Sequence, residues 1–141
     1  MEILLYKLKS YENLYEILKI CKELDIKVHA ILREKYENEY EKLKEKFGNY
    51  FNVYKTLEEF LEITNSTNKK FLILETFGNK LIFDIDLKDF DFIVLGAEDF
   101  GIPMNEIEKI KNKEVVKIPT KAIGSYNVVS SLIIFLSFVL C

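Results

Sequence analysis

Short runs of β-branched and aromatic residues alternate from end to end with segments whose apolar residues recur every three or four positions. That alternation confines the chain to the α/β class. Residues 3–6 read as a strand, after which Leu14, Ile17, Leu18, Cys21 and Leu24 form the inner stripe of an amphipathic helix. A second strand over 28–32 leads to a Lys/Glu-rich helix with Tyr36, Tyr40, Leu43 and Phe47 inward, stopped by Gly48. Residues 51–54 form a third strand. Thr56 then suits a helix N-cap ahead of Leu57, Phe60 and Leu61, and the polar stretch 65–68 precedes a fourth strand over 71–74. Strands joined through helices pair side by side in one direction, so the expectation is a mostly parallel sheet with helices on both faces. At 141 residues there is room for a single domain spanning 1–141 and no second core.

Charge and composition remove several functions. A net charge of −3 gives no whole-molecule attraction for nucleic acid, so any such contact rests on a local lysine patch. Among the 20 basic residues only Arg33 is an arginine, leaving one candidate for any role that needs a planar guanidinium fork. Two cysteines, Cys21 and Cys141, without CxxC spacing, and one histidine, His29, encode neither a zinc site nor a disulfide framework. A reducing cytoplasm is the default compartment, and the first residues lack the pattern of a secretory signal. Residues 128–141 are almost uninterruptedly apolar, but a bilayer-spanning helix needs about 20 residues, so a buried helix without membrane contact is expected. A helix apolar on all sides has to be covered on all sides. A small domain seldom manages this alone, which points to a second subunit packed there; the alternative is a helix wholly within its own core.

The last third is built differently. Both prolines and three of the five glycines, Gly96, Gly101 and Gly124, fall between residues 96 and 124. A strand over 92–95 runs into a glycine-bearing loop and a helix over 103–110. A strand over 115–118 and the loop 119–126 then precede the apolar helix. In open α/β sheets ligands bind beyond the carboxyl ends of strands, so these two loops nominate a site. A third class of function, a metal-dependent nuclease, would use Asp84, Asp86 and Lys88, a lone D-x-K triple with carboxylates suited to Mg²⁺.

The two loops also carry a family pattern. Leu95-Gly96-Ala97-Glu98-Asp99-Phe100-Gly101-Ile102-Pro103 resembles the LG.E..G(L/I)P loop of the SpoU (TrmH-like) branch of SPOUT methyltransferases. Val116-Lys117-Ile118-Pro119 through Ser125-Tyr126-Asn127-Val128 resembles the V.IP....SxNV loop of the same branch. Upstream, Asn13-Leu14-Tyr15-Glu16-Ile17-Leu18-Lys19 is similar, in degraded form, to its NxGaiiR element. The likeness covers nearly the full length and is greatest to minimal single-domain members that methylate ribose in tRNA. It implies S-adenosylmethionine as cofactor, an RNA ribose 2′-hydroxyl (tRNA or rRNA) as acceptor, a C-terminal trefoil knot (the SPOUT α/β knot) and a homodimer through the C-terminal helix. By motif position the cofactor pocket is lined by Thr76, Leu95, Gly96, Gly101, Ile118, Ile123 and Ser125. The catalytic set is Asn13, Lys19, Glu98, Ser125 and Asn127.

Each of these residues has a plainer use. Asn13 with Glu16 three residues on also fits a helix N-cap with its reciprocal partner. Glu98 could contact substrate or fix its loop through backbone N–H groups. Ser125 and Asn127 are both N-cap types and could cap the last helix while touching a ligand. Lys19 stands where the family has arginine, and Tyr15, which would crowd a ligand, where it has glycine. A desolvated lysine can act as a base but lacks the phosphate fork. The alternative to an active methyltransferase is therefore a catalytically degenerate protein that binds RNA or cofactor without turnover. His29 and Cys21 fit core positions.

Overall fold

The computed structural model describes residues 1–118 and 127–140. In chain order the elements are β1 (Glu2–Tyr6), α1 (Tyr11–Glu23), β2 (Val28–Ile31), α2 (Glu37–Phe47), β3 (Phe51–Tyr54), α3 (Leu57–Ile63), β4 (Phe71–Leu74), β5 (Lys80–Leu81), β6 (Phe92–Leu95), α4 (Met104–Ile107), β7 (Lys113–Lys117) and α5 (Val128–Leu140). Among the described residues the strands form one sheet in the order β3-β2-β1-β6-β4-β7-β5, and every pair is parallel. The expected sheet is thus more uniform than "mostly" parallel.

Side-chain alternation assigns the two faces. Ile3 and Leu5 of β1 join an apolar cluster with α1, α2 and α5, whereas Leu4 and Tyr6 join another with α3 and α4, so the single sheet carries an apolar layer on each face where one core was expected. The central strands β4 and β6 are buried at every position, as a sheet covered on both sides requires. On the second face Phe60 lies fully buried, edge-on to Tyr54, Phe71 and Phe92. His29 enters this cluster as a packed residue, its two ring nitrogens bonded to Tyr54 Oη and Glu2 Oε1. Cys21 is fully buried on α1, and burial pushes its thiol up to about 12.

The helix ends follow local chemistry, with two corrections. Thr56 Oγ1 accepts from Glu59 N at 3.1 Å, and Gly48 closes α2 at φ 57°, as the sequence suggests. Ser10, not Asn13, caps α1: its Oγ accepts from Asn13 N at 3.2 Å, so Asn13 sits inside the first turn with its amide free to reach elsewhere. The helix expected over 103–110 is only α4. Beyond it Lys109 N and Ile110 N bond to Glu106 O and Ile107 O, the tighter i→i−3 pattern that swings Ile110 into the core. β5, a two-residue edge strand, has no period to announce it, and β7 begins two residues before its expected start.

The order of strands positions the site. β1, β2 and β3 step outward in one direction. The chain then returns to β4, and β6 inserts between β1 and β4. Strand order reverses there, the point at which a doubly wound sheet opens a crevice beyond its carboxyl ends. α5 covers the first face with Val128, Leu132, Phe135 and Leu136, but Ile133, Phe138 and Leu140 are about half exposed, so within one chain it is buried on one side only. Residues 119–126 lie outside the described residues, and with them the expected site residues Ile123 and Ser125.

Candidate functional site

β4 runs between β6 and β7, so the residues that follow it are wedged between the two loops singled out in the sequence. The carboxyl ends of β1, β6, β4 and β7 open together into a cleft of about 930 Å³. Of the sequence-nominated residues, Asn13, Thr76, Leu95, Gly96, Glu98, Gly101, Ile118 and Asn127 line it. They come from segments more than 100 residues apart, and parallel pairing alone brings them together.

Two carboxylates organise the walls. Glu98 accepts from Lys9 N at 2.7 Å and from Ser10 N at 3.0 Å, and its Oε2 takes the Asn13 Nδ2 amide at 2.9 Å. It therefore ties the β6–α4 loop to the start of α1 and fixes that loop through backbone N–H groups. Asn127 Oδ1 accepts from Val129 N at 2.8 Å, so it caps α5 while facing the cleft.

Glu75 is the second organiser, and no motif flagged it. Its Oε1 accepts from Ile102 N at 2.8 Å. A Cβ built at Gly96 would fall 2.8 Å from that oxygen, and one at Gly101, 2.7 Å. Gly101 also holds φ 66°, where only glycine is unstrained. The two loop glycines thus form a cradle for a carboxylate of their own chain. Burial raises the Glu75 carboxyl above its ordinary range, partly offset by the Ile102 N–H. The only sequence signal is an acidic residue directly after the wholly apolar strand Phe71–Leu74.

Arg33, the lone guanidinium, reaches the rim of the cleft from the end of β2. Its Nη1 and Nη2 donate to Asp99 Oδ1 and Oδ2 at 3.1 and 2.8 Å, and Nη1 also reaches Lys7 O at 3.3 Å. The guanidinium pulls the Asp99 carboxyl down to about 2.

Lys19 does not line the cleft. Its Nζ lies 3.4 Å from Glu16 Oε1 on the exposed side of α1. Tyr15 does not crowd the cleft either. Its ring packs edge-on to Phe47 at 5.9 Å and its hydroxyl meets Lys46 Nζ, which lowers its pKa. Asp86 is spent locally, its Oδ1 accepting from Lys88 N at 3.1 Å. No cluster of His, Cys, Asp and Glu that could hold a metal occurs among the described residues, and no described helix is long and apolar enough to cross a membrane.

Comparison with known proteins follows the same outline. Residues 1–137 match the SpoU rRNA Methylase family. A Bacillus anthracis protein described as a candidate RNA methyltransferase superposes with a TM-score of 0.74 at 23% identity, covering 96% of this chain and 89% of that one. A protein from work on 2-OH methylation of C/U34 on tRNA gives 0.76 at 15% identity, over 99% and 93% of the two chains. The SpoU methyltransferase AviRb of Streptomyces viridochromogenes, in complex with AdoMet, gives 0.75 at 14% identity over 96% of this chain but 57% of its own length.

Proposed function

This chain belongs to the SpoU rRNA methylase family, and from that premise we propose that it transfers a methyl group from S-adenosylmethionine to a ribose 2′-hydroxyl of tRNA or rRNA. The observation that carries the reading is the cleft itself: about 930 Å³, of the size that takes a nucleoside-sized ligand, and bounded by both family loops. On this reading residues 1–141 act as one cytoplasmic domain with a trefoil knot at its C-terminal end.

The cleft fits the cofactor. The strand ends at Leu95 and Ile118 offer apolar surface, and Thr76, Gly96 and Gly101 bound the space open to an adenosyl moiety; the family motif assigns Ile123 and Ser125 to the same pocket. Bound there, the cofactor supplies an electrophilic methyl. The chain supplies position, and aligning two reactants can account for much of the rate. Asn13, steadied by Glu98, orients the ribose, while Asn127 holds the opposite wall; the motif gives Ser125 a part in the same catalytic set. Lys19 faces away from the cleft of its own chain, so its part in removing the hydroxyl proton is played in the cleft of a second subunit. The half-exposed Ile133, Phe138 and Leu140 of α5, with Phe83 edge-on to Phe138 at 5.0 Å, form the apolar face through which that subunit docks.

Mass spectrometry of RNA nucleosides after incubation with the protein and labelled S-adenosylmethionine tests the reading: labelled 2′-O-methylribose is expected. Absence of product together with no calorimetric heat of cofactor binding refutes it. A second reading, binding without turnover, is favoured by the Lys19–Glu16 pair, which leaves the cleft of a single chain without the motif's cation. It predicts cofactor heat with no methylated ribose.

A further inference from the structure

Phe100 presents an aromatic ring to solvent on the rim of the cleft. The residue is 51% exposed, although apolar surface facing water is unfavourable. It is nevertheless held in place. Its own amide donates to Asp99 Oδ1 at 3.1 Å, and Gly101 N closes the loop onto Ala97 O at 2.8 Å. The Arg33 guanidinium, forked onto Asp99, lies 5.2 Å from the ring centroid. A fixed aromatic face backed by a guanidinium is the surface on which unpaired bases stack, and such stacking tolerates any base because each has a π face.

The surrounding charge suits a polyanion. Lys7 and Lys9, in the adjoining β1–α1 loop, make no ion pair among the described residues. The carboxylates of the same rim are already engaged, Glu98 by backbone and amide donors and Asp99 by Arg33. Phosphates arriving here meet the ammonium groups of Lys7 and Lys9, with Asp99 neutralised by Arg33 and Glu98 the one carboxylate of this loop that no cation pairs among the described residues.

We propose that Phe100, backed by Arg33, is a stacking platform for an unpaired base of single-stranded RNA, seating the nucleotide next to the one whose ribose enters the cleft. The inference rests on the RNA methyltransferase reading and adds to it the site that orients the acceptor strand.

The test is fluorescence anisotropy of the full chain with a labelled oligoadenylate dodecamer and an abasic dodecamer of equal length, at low salt. Phe100→Leu is expected to weaken the oligoadenylate about ten- to a hundredfold and leave the abasic strand unchanged, with Phe100→Trp restoring parental affinity. Oligoadenylate binding by Phe100→Leu within about twofold of the parent, or equal losses on both strands, overturns the platform. So does a fall in oligomer size of Phe100→Leu on gel filtration, which would put a second copy of the chain over the ring. Parental protein that methylates ribose yet does not distinguish the two strands overturns the platform and leaves the methyltransferase reading standing. Protein that neither methylates RNA nor binds either strand overturns both.

Discussion

Glu98 Oε2 accepts a hydrogen bond from Asn13 Nδ2 at 2.9 Å across a sequence separation of 85 residues, joining the loop after β6 to the first turn of α1. The same carboxylate takes the amides of Lys9 and Ser10, so removing it releases three donors at once. Glu98→Ala is expected to lower stability by about 1–2 kcal/mol, the modest figure appropriate to an exposed carboxylate. Cofactor affinity is expected to fall with it, since one wall of the cleft loses its tie. Thermal unfolding and calorimetry with S-adenosylmethionine read the two effects; unchanged cofactor affinity would separate Glu98 from the site.

The Glu75 cradle predicts opposite signs for two substitutions at one position. The folded carboxyl holds its proton more tightly than the unfolded one, so the ionised group opposes folding above its folded pKa, and that cost disappears as pH falls below the ordinary 4.5. Glu75→Gln keeps an oxygen for Ile102 N and removes the charge, so stability at neutral pH should stay level or rise. Glu75→Ala leaves that N–H without a partner and should cost about 1–3 kcal/mol in denaturant unfolding. Gly101→Ala, strained at φ 66° and crowding Oε1, should cost more than about 1 kcal/mol.

The Arg33–Asp99 fork makes a prediction with a defined pH window. The Asp99 carboxyl falls from an ordinary 3.8 to about 2 in the folded chain, so the unfolded state binds more protons between those values. The pair's contribution is complete above 3.8 and fades as pH drops through about 2. The melting-temperature gap between parent and Asp99→Asn should be constant near neutrality and close over that interval. Arg33→Lys retains a charge but loses the fork, and should behave like Asp99→Asn at neutral pH.

The exposed side of α5 predicts oligomeric state. Ile133→Glu puts a charge on the apolar face where the second subunit is proposed to pack, and should convert a dimer into a folded monomer in analytical ultracentrifugation. Lys19→Ala, which leaves that face intact, should remain dimeric yet lose methyl transfer. A parent that sediments as a monomer at micromolar concentration would remove both expectations.

Much of the fold is legible in local pattern. Apolar runs such as Phe71–Leu74 and Phe92–Leu95 announce strands buried on both faces, and Leu14, Ile17, Leu18 and Cys21 announce the buried side of α1. These signals survive because periodicity of two or 3.6 is set by backbone geometry within a few residues. Local pattern is weaker where elements are shorter than their own period. β5 has two residues and cannot be read at all, and α4 is a single turn, so its pattern shows a helix but not where it stops. Asn13 is ambiguous for a related reason: cap and first-turn positions accept the same residue types, and the neighbouring Ser10 won the cap because its oxygen reaches the free N–H of Asn13.

What the chain's own pattern determined is its class, its helices and strands, and the two glycine-bearing loops after late strands, all consequences of short-range sterics and hydrophobic period. The tertiary structure alone decided that β4 lies between β6 and β7, that Glu75 fills the space beside Gly96 and Gly101, and that Arg33 forks onto Asp99 across 66 residues. Such relationships follow from the order in which distant strands pair. Side chains remote along the chain share no period that could announce their meeting, and only the hydrogen-bonded register of the assembled sheet brings them within reach.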